Sequence, residues 1–175
     1  MSGHNKWSQI KHKKAKTDGA KSKLYSKYAK LISAEAQKVH GDKNSPSLRA
    51  LIERARAEDV TNEVIDRAVK KASEPGHSLE MILYEAYGPG GCAMMIEALT
   101  SNKNKAAQEV KHILTLNGFS LATPGSASWA FKREGTEWKP TMTVDLEDAD
   151  LAVLEKLVGE LEDNEEVQDV FTNVE

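Results

Sequence analysis

Apolar positions recur at helical spacing through the first half of the chain and change to strand-like blocks in the second. Leu24, Tyr28, Leu31, Ile32 and Val39 fall on one face three to four residues apart, which predicts a helix from about Ser22 to His40. Gly41 supplies its stop. Lys23, Lys27 and Lys30 form a stripe beside that apolar face. A second helix follows Pro46, with Leu48, Leu51, Ile52 and Ala55 inward. Thr61 is an N-cap for a third, which buries Val64, Ile65, Ala68 and Val69. The three helices end near Ser73, and Glu74-Pro75-Gly76-His77-Ser78 breaks the pattern as a linker.

Beyond the linker, Met81 to Tyr87 reads as a strand, Gly88-Pro89-Gly90-Gly91 as a turn and Cys92 to Thr100 as the returning strand. A helix from about Asn102 to Asn117 buries Ala106, Val110, Ile113 and Leu114, and Gly118 ends it. Strands are expected at Ser126–Arg133, with Trp129 and Phe131 on one face, and near Thr141–Asp145. A helix from about Glu147 to Leu161 buries Leu151, Leu154, Leu157, Val158 and Leu161, and a strand at Val167–Val174 closes the chain. The fold class is therefore α+β. An N-terminal three-helix domain with its preceding arm (1–78) is followed by an α/β sandwich domain (79–175) of ββαββαβ order, helices on one face of a mainly antiparallel sheet.

Composition narrows the function. A chain of 175 residues with one cysteine has no intramolecular disulfide framework and no multi-cysteine zinc site. It has no apolar run near the roughly 20 residues that cross a bilayer and no signal-peptide pattern, so a soluble protein of a reducing compartment is expected. The net charge of −3 conceals a segregation: residues 1–78 carry +8, 79–140 are neutral and 141–175 carry −11. The first thirty residues hold nine lysines and one acid, Asp18. Such asymmetry points to a polyanion-binding arm and an acidic surface suited to a protein partner.

The arm and first helix place Lys6, Lys11, Lys13, Lys14, Lys16, Lys21, Lys23 and Lys27 among Trp7, Tyr25 and Tyr28. Lysines neutralise phosphates and release counterions, and aromatic rings stack on unpaired bases. Trp7 and Ile10 are equally readable as anchors of the arm, and Tyr28 as core. His12, among lysines, donates to phosphate or stays neutral at the surface. Neither His4 nor His12 has a second ligand at a metal-binding spacing, so no metal and no cofactor are expected. Gly88–Gly91 lacks the Gly-Lys-Ser/Thr ending of a phosphate loop and opens a strand, which makes it a turn rich in positive φ. Ser101-Asn102-Lys103-Asn104-Lys105 opens a helix and is either a cap or a secondary anion contact. The carboxylates from Asp145 to Asp150 suit a helix N-terminus. Those from Glu160 to Glu166 have no such reason; they repel RNA from the second domain or face a basic protein. No histidine, serine or lysine constellation accompanies them, so catalysis is not expected.

Gly3-His4-Asn5-Lys6-Trp7-Ser8-Gln9-Ile10-Lys11-His12-Lys13-Lys14 closely resembles the N-terminus of the YebC/PmpR family, which includes the mitochondrial translational activator of cytochrome c oxidase. Tyr84–Gly91, Ile96–Asn104, Leu161-Glu162-Asp163 and Val167–Val170 resemble further blocks of the family in collinear order. The resemblance implies a regulator of gene expression that is not an enzyme. It contacts nucleic acid through the matching Lys6, Trp7, Lys11, His12, Lys13 and Lys14, either as a ribosome-associated translation factor or as a DNA-binding transcriptional regulator. No arginine, the usual bidentate reader of guanine, precedes Arg49, which tilts the reading towards RNA and the ribosome. A motif starting at Gly3 leaves no room for a transit peptide, so a cytoplasmic location without membrane contact is expected. Family members usually insert a third domain within the second. Here Phe131–Gly135 and Pro140–Leu146 resemble its flanks with few residues between, which implies a two-domain form.

Overall fold

Three helices and an α+β layer structure each enclose their own apolar cluster in the computed structural model of the chain, which describes Trp7 and residues 18–175. Two units result. One holds residues 18–80 and 99–101; the other holds Trp7, 81–98 and 102–175.

The helical unit contains α1 (Asp18–Lys38), α2 (Pro46–Ala57) and α3 (Asn62–Lys71). Ile32, Ala36, Leu48, Ile52, Ala55 and Ile65 fill its core. Pro46 occupies the first position of α2, where its missing N–H is no loss. Thr61 caps α3, its hydroxyl accepting from the Val64 N–H at 3.4 Å. The left-handed residue that ends α1 is His40 (φ 52°) together with Gly41, whose N–H returns to the Ala36 carbonyl at 2.8 Å. Asp59 (φ 61°) plays the same part for α2, and Val60 N–H returns to Ala55 O.

The other unit is built from β1 (Glu80–Tyr87), β2 (Ala93–Thr100), α4 (Lys103–Leu116), β3 (Phe131–Glu134), β4 (Glu137–Pro140), α5 (Asp148–Asp163) and β5 (Val167–Thr172). The order is the expected ββαββαβ, but the five strands form two sheets. One is ordered β1-β2-β5, with β2 and β5 antiparallel in the register Met94↔Thr172 to Ile96↔Val170 and a bulge between Glu97 and Ala98. The other is the β3–β4 hairpin, Phe131↔Pro140 to Glu134↔Glu137. Strand alternation sends Met94 and Ile96 into a cluster with Val110, Leu114, Leu154 and Leu157 of the two helices. Ala93 and Met95 face the other way, onto Ala127, Ala130, Phe131 and Trp138. The three-stranded sheet is thus covered by helices on one face and by the hairpin on the other.

Two strand expectations are corrected. Residues 126–130 are not extended: Ser128–Ala130 is a 3-10 turn, and β3 starts only at Phe131. Trp129 and Phe131 therefore part company, Phe131 being buried and Trp129 55% exposed. The expected strand near Thr141–Asp145 is replaced by β4, because Gly135 in a left-handed conformation (φ 62°) turns the chain back after two residues. Of that segment Val144 alone bridges, to Val174. At the point where the resemblance implies an inserted domain, β3 passes to β4 through Gly135-Thr136.

Candidate nucleic-acid interface

α1 buries Tyr28, Ile32, Ser33 and Ala36, and the spacing of Lys23, Lys27 and Lys30 puts all three on the opposite side of the helix. Lys21 and Lys23 are exposed, Lys27 and Lys30 half-buried. Lys30 extends its ammonium to the Leu99 carbonyl at 3.2 Å. The aromatics interleaved with these lysines do not face outward with them. Tyr28 is core, and half-buried Tyr25 packs on the same cluster while its hydroxyl donates to the Asp59 carbonyl at 2.6 Å.

Lys6, Lys11, His12, Lys13, Lys14 and Lys16 lie outside the described residues, as do His4 and Ile10. Trp7 is described, and its indole is 7% exposed within the apolar cluster that holds Leu151, Leu154 and Val174. A ring buried among aliphatic side chains anchors the chain; it is not presented to a base. In chain order, the lysines from Lys11 to Lys16 run between that anchor and Asp18, where α1 begins.

The secondary candidates resolve into structural roles. Asn102 caps α4, accepting from Lys105 N–H at 3.1 Å. Lys105 itself pairs with Glu166 at 3.2 Å and lies 3.8 Å from Glu109, and the Glu166 carboxylate raises its pKa. Gly90 and Gly91 have φ of 64° and 74°, as a turn requires. A Cβ on Gly90 would meet the Leu146 Cδ2 at 2.4 Å. Burial pushes the Cys92 thiol up to about 11. Among the described residues, no group of three or more His, Cys, Asp and Glu side chains is placed to hold a metal. No helix among them is long and apolar enough to cross a membrane.

Part of the acidic end has a use the sequence did not disclose. Glu160 accepts from Asn117 Nδ2 at 2.7 Å, and Asn164 donates to Glu109 at 2.8 Å. Glu166, 7% exposed, takes the Lys105 ammonium. These bonds tie the α5–β5 connection to α4.

Sequence reasoning also missed two buried carboxylates. Glu85 on β1 accepts three backbone N–H groups, from Gly125 (2.7 Å), Ala127 (2.7 Å) and Ser128 (2.9 Å). This grip bends residues 125–128 away from a strand. Next to it, Tyr87 donates its hydroxyl to the Ser126 carbonyl and accepts from the Trp129 indole N–H at 3.0 Å. Glu97 on β2 takes Arg133 Nη1 at 2.6 Å and Trp138 Nε1 at 3.0 Å, and the Arg133 guanidinium lies 5.2 Å from the Trp138 ring centroid. The one sequence signal for Glu85 and Tyr87 was their place in the Tyr84–Gly91 block.

Comparison with other proteins places this architecture. Residues 5–75 match the profile of the TACO1/YebC protein N-terminal domain, and residues 79–137 that of the TACO1/YebC second and third domain. A probable transcriptional regulatory protein of Thermotoga maritima is 40% identical over 176 residues, 98% of this chain and 70% of the relative. One of Fervidobacterium nodosum, with the same description, is 40% identical over 95% of this chain and 68% of its own length. The crystal structure of a conserved hypothetical protein from Aquifex aeolicus is similar, with a TM-score of 0.85 and 28% identity, covering 97% of this chain and 96% of that one.

Proposed function

The chain belongs to the TACO1/YebC family, and from that premise we propose that it is a non-enzymatic, nucleic-acid-binding regulator of gene expression. It acts on the ribosome or its RNA through the lysines of the N-terminal segment and of α1. The observation that carries this reading is the segregation of charge. Net charge is +8 over residues 1–78 and −11 over 141–175, and Lys23 and Lys27 share the side of α1 that faces away from its core. Lysines on a helix surface suit phosphates along a backbone or a folded RNA. Base edges are read most specifically by the bidentate groups of arginine, asparagine and glutamine, with lysine also able to reach guanine. α1 has no arginine or asparagine, and Gln37, its one glutamine, bonds His77 O and Leu79 N–H. With Trp7 buried and both tyrosines turned inward, the lysines carry the affinity without stacking from α1.

A second reading, a DNA-binding transcriptional regulator, is favoured by the name that the bacterial relatives bear. Both readings require the same cationic surface and differ in its target. The test of that surface is fluorescence anisotropy of a labelled RNA hairpin and a labelled DNA duplex across a salt series. Wild type is compared with Lys11→Ala/Lys13→Ala/Lys14→Ala. The variant is expected to bind more weakly, with a salt slope shallower by up to about 0.9 for each phosphate it no longer neutralises. Unchanged affinity and slope would remove the segment from the account.

A further inference from the structure

Of the eight asparagines in the chain, Asn117 alone is followed by glycine. An Asn-Gly step carries its own chemistry. The glycine nitrogen, with no side chain to hinder it, attacks the asparagine Cγ. A bond from that nitrogen to Cγ forms as the Cγ–Nδ2 bond breaks, and ammonia leaves behind a five-membered succinimide. Water then opens the ring at either carbonyl to give aspartate or isoaspartate. The sum is an amide and water converted to a carboxylate and ammonium, and water is the one co-reactant. Glycine also gives the backbone the freedom that ring closure demands.

The fold decides when this happens. Asn117 closes α4 with φ −94° and ψ 5°. The ring requires the Gly118 nitrogen to eclipse Cβ about the Cα–C bond, whereas ψ near zero eclipses it with the Asn117 nitrogen instead. The nucleophile is also engaged: Gly118 N–H donates to the Thr115 carbonyl at 3.0 Å. The leaving amide is held as well, Nδ2 donating to the Ile113 carbonyl at 2.9 Å and to Glu160 Oε2 of α5 at 2.7 Å. Phe119 N–H returns to the Leu114 carbonyl at 2.8 Å and fixes the turn beyond. All of these restraints sit at one helix end, and helix ends fray.

The product does not fit the place that the amide leaves. A carboxylate at position 117 only accepts, and it meets the two acceptors that the amide had bonded, the Ile113 carbonyl and Glu160. Isoaspartate in addition lengthens the backbone by a methylene where the turn closes. We propose that Asn117-Gly118 is a conformation-gated deamidation site, silent while the end of α4 is closed on α5 and converted irreversibly in chains where that end opens.

The test incubates the full chain at pH 8 and follows position 117 by peptide mass mapping. Conversion of an amide to an acid adds mass, which separates it from isomerisation at Asp18-Gly19, where the mass is unchanged. A synthetic peptide of residues 113–121 and the chain in guanidinium chloride give the ungated rate. Native conversion should be more than about tenfold slower than either, since it proceeds only from the opened minority. Glu160→Ala removes one restraint and should raise the native rate about tenfold, while Glu160→Gln keeps an acceptor oxygen and should raise it less than about threefold. Asn117→Asp should lower the denaturation midpoint, and Glu160→Gln beside it should restore part of the loss, which marks carboxylate repulsion rather than a missing amide bond. Native conversion at the peptide rate would overturn the gating, as would a Glu160→Ala rate equal to that of wild type. A midpoint that Asn117→Asp leaves in place would overturn the exclusion of the product from the native fold. The site itself falls if the unfolded chain gains no mass at position 117.

Discussion

Replacing Glu85 by alanine removes the acceptor of three backbone N–H groups, one of which, on Ala127, is fully buried. Bonds to a carboxylate contribute about 1.5–3 kcal/mol each and an unsatisfied buried donor costs about 1–3 kcal/mol. Gly125 and Ser128 sit nearer the surface, where water replaces part of the loss, so the sum is about 3–5 kcal/mol. Against a typical domain stability of about 5–15 kcal/mol this is a large fraction. Glu85→Gln keeps one acceptor oxygen for Ala127 and Ser128 but turns an amide donor towards Gly125, for a smaller loss of about 1–2 kcal/mol. Denaturant unfolding followed by tryptophan fluorescence is the assay. All three tryptophans, Trp7, Trp129 and Trp138, belong to the α+β unit and report it without the helical unit. Iodide quenching of the native state adds a local reading, since a loop released from Glu85 frees the Trp129 ring. A loss under about 1 kcal/mol for Glu85→Ala with unchanged quenching would refute the argument that this carboxylate holds the loop.

Three further outcomes follow from individual contacts. Trp7→Ala should destabilise the α+β unit by about 3–5 kcal/mol, as large-to-small core changes do, while leaving the salt slope of nucleic-acid binding unaltered; a changed slope with unchanged stability would return the ring to the binding surface. Lys132 (2.7 Å) and Lys139 (2.8 Å) flank Glu134 and hold its carboxyl down to about 2, against an ordinary 4.5. Its contribution is therefore present above pH 4.5 and fades as pH falls through 2. The stability difference between wild type and Glu134→Gln should stay level from pH 5 to 8 and vanish below about pH 2; a difference that persists at pH 1.5 would contradict the pairing. Cys92, buried and raised to about 11, should react with a thiol reagent at pH 8 only as fast as the unit unfolds, and rapid native labelling would show the pocket to be open.

What was legible in the sequence is what depends on near neighbours. The helices follow from three-to-four spacing, and their starts from Pro46, Thr61 and Asn102, each acting within one turn. The glycine turn between β1 and β2 was readable because positive φ is a local demand. The path of residues 126–130 was not, since the carboxylate that bends it comes from Glu85, about forty residues earlier. Val144 and its neighbours look like a strand by composition, yet the two-residue turn at Gly135 had already committed Glu137–Pro140 to pair with β3. Trp7 carried both possibilities in the sequence, and only the assembled cluster around Leu154 decides that the ring packs inward. Glu160 and Glu166 read as a free acidic face because their partners, Asn117 and Lys105, sit 43 and 61 residues away.

The proposed function has the protein bind the ribosome through its lysine-rich N-terminal segment. Co-sedimentation with ribosomes at physiological salt, against an excess of random duplex DNA and with Lys11→Ala/Lys13→Ala/Lys14→Ala in parallel, tests it most directly. Ribosome binding is expected to survive the duplex competitor and to be lost in the variant. Binding that the duplex titrates away would contradict it and give the transcriptional reading first place.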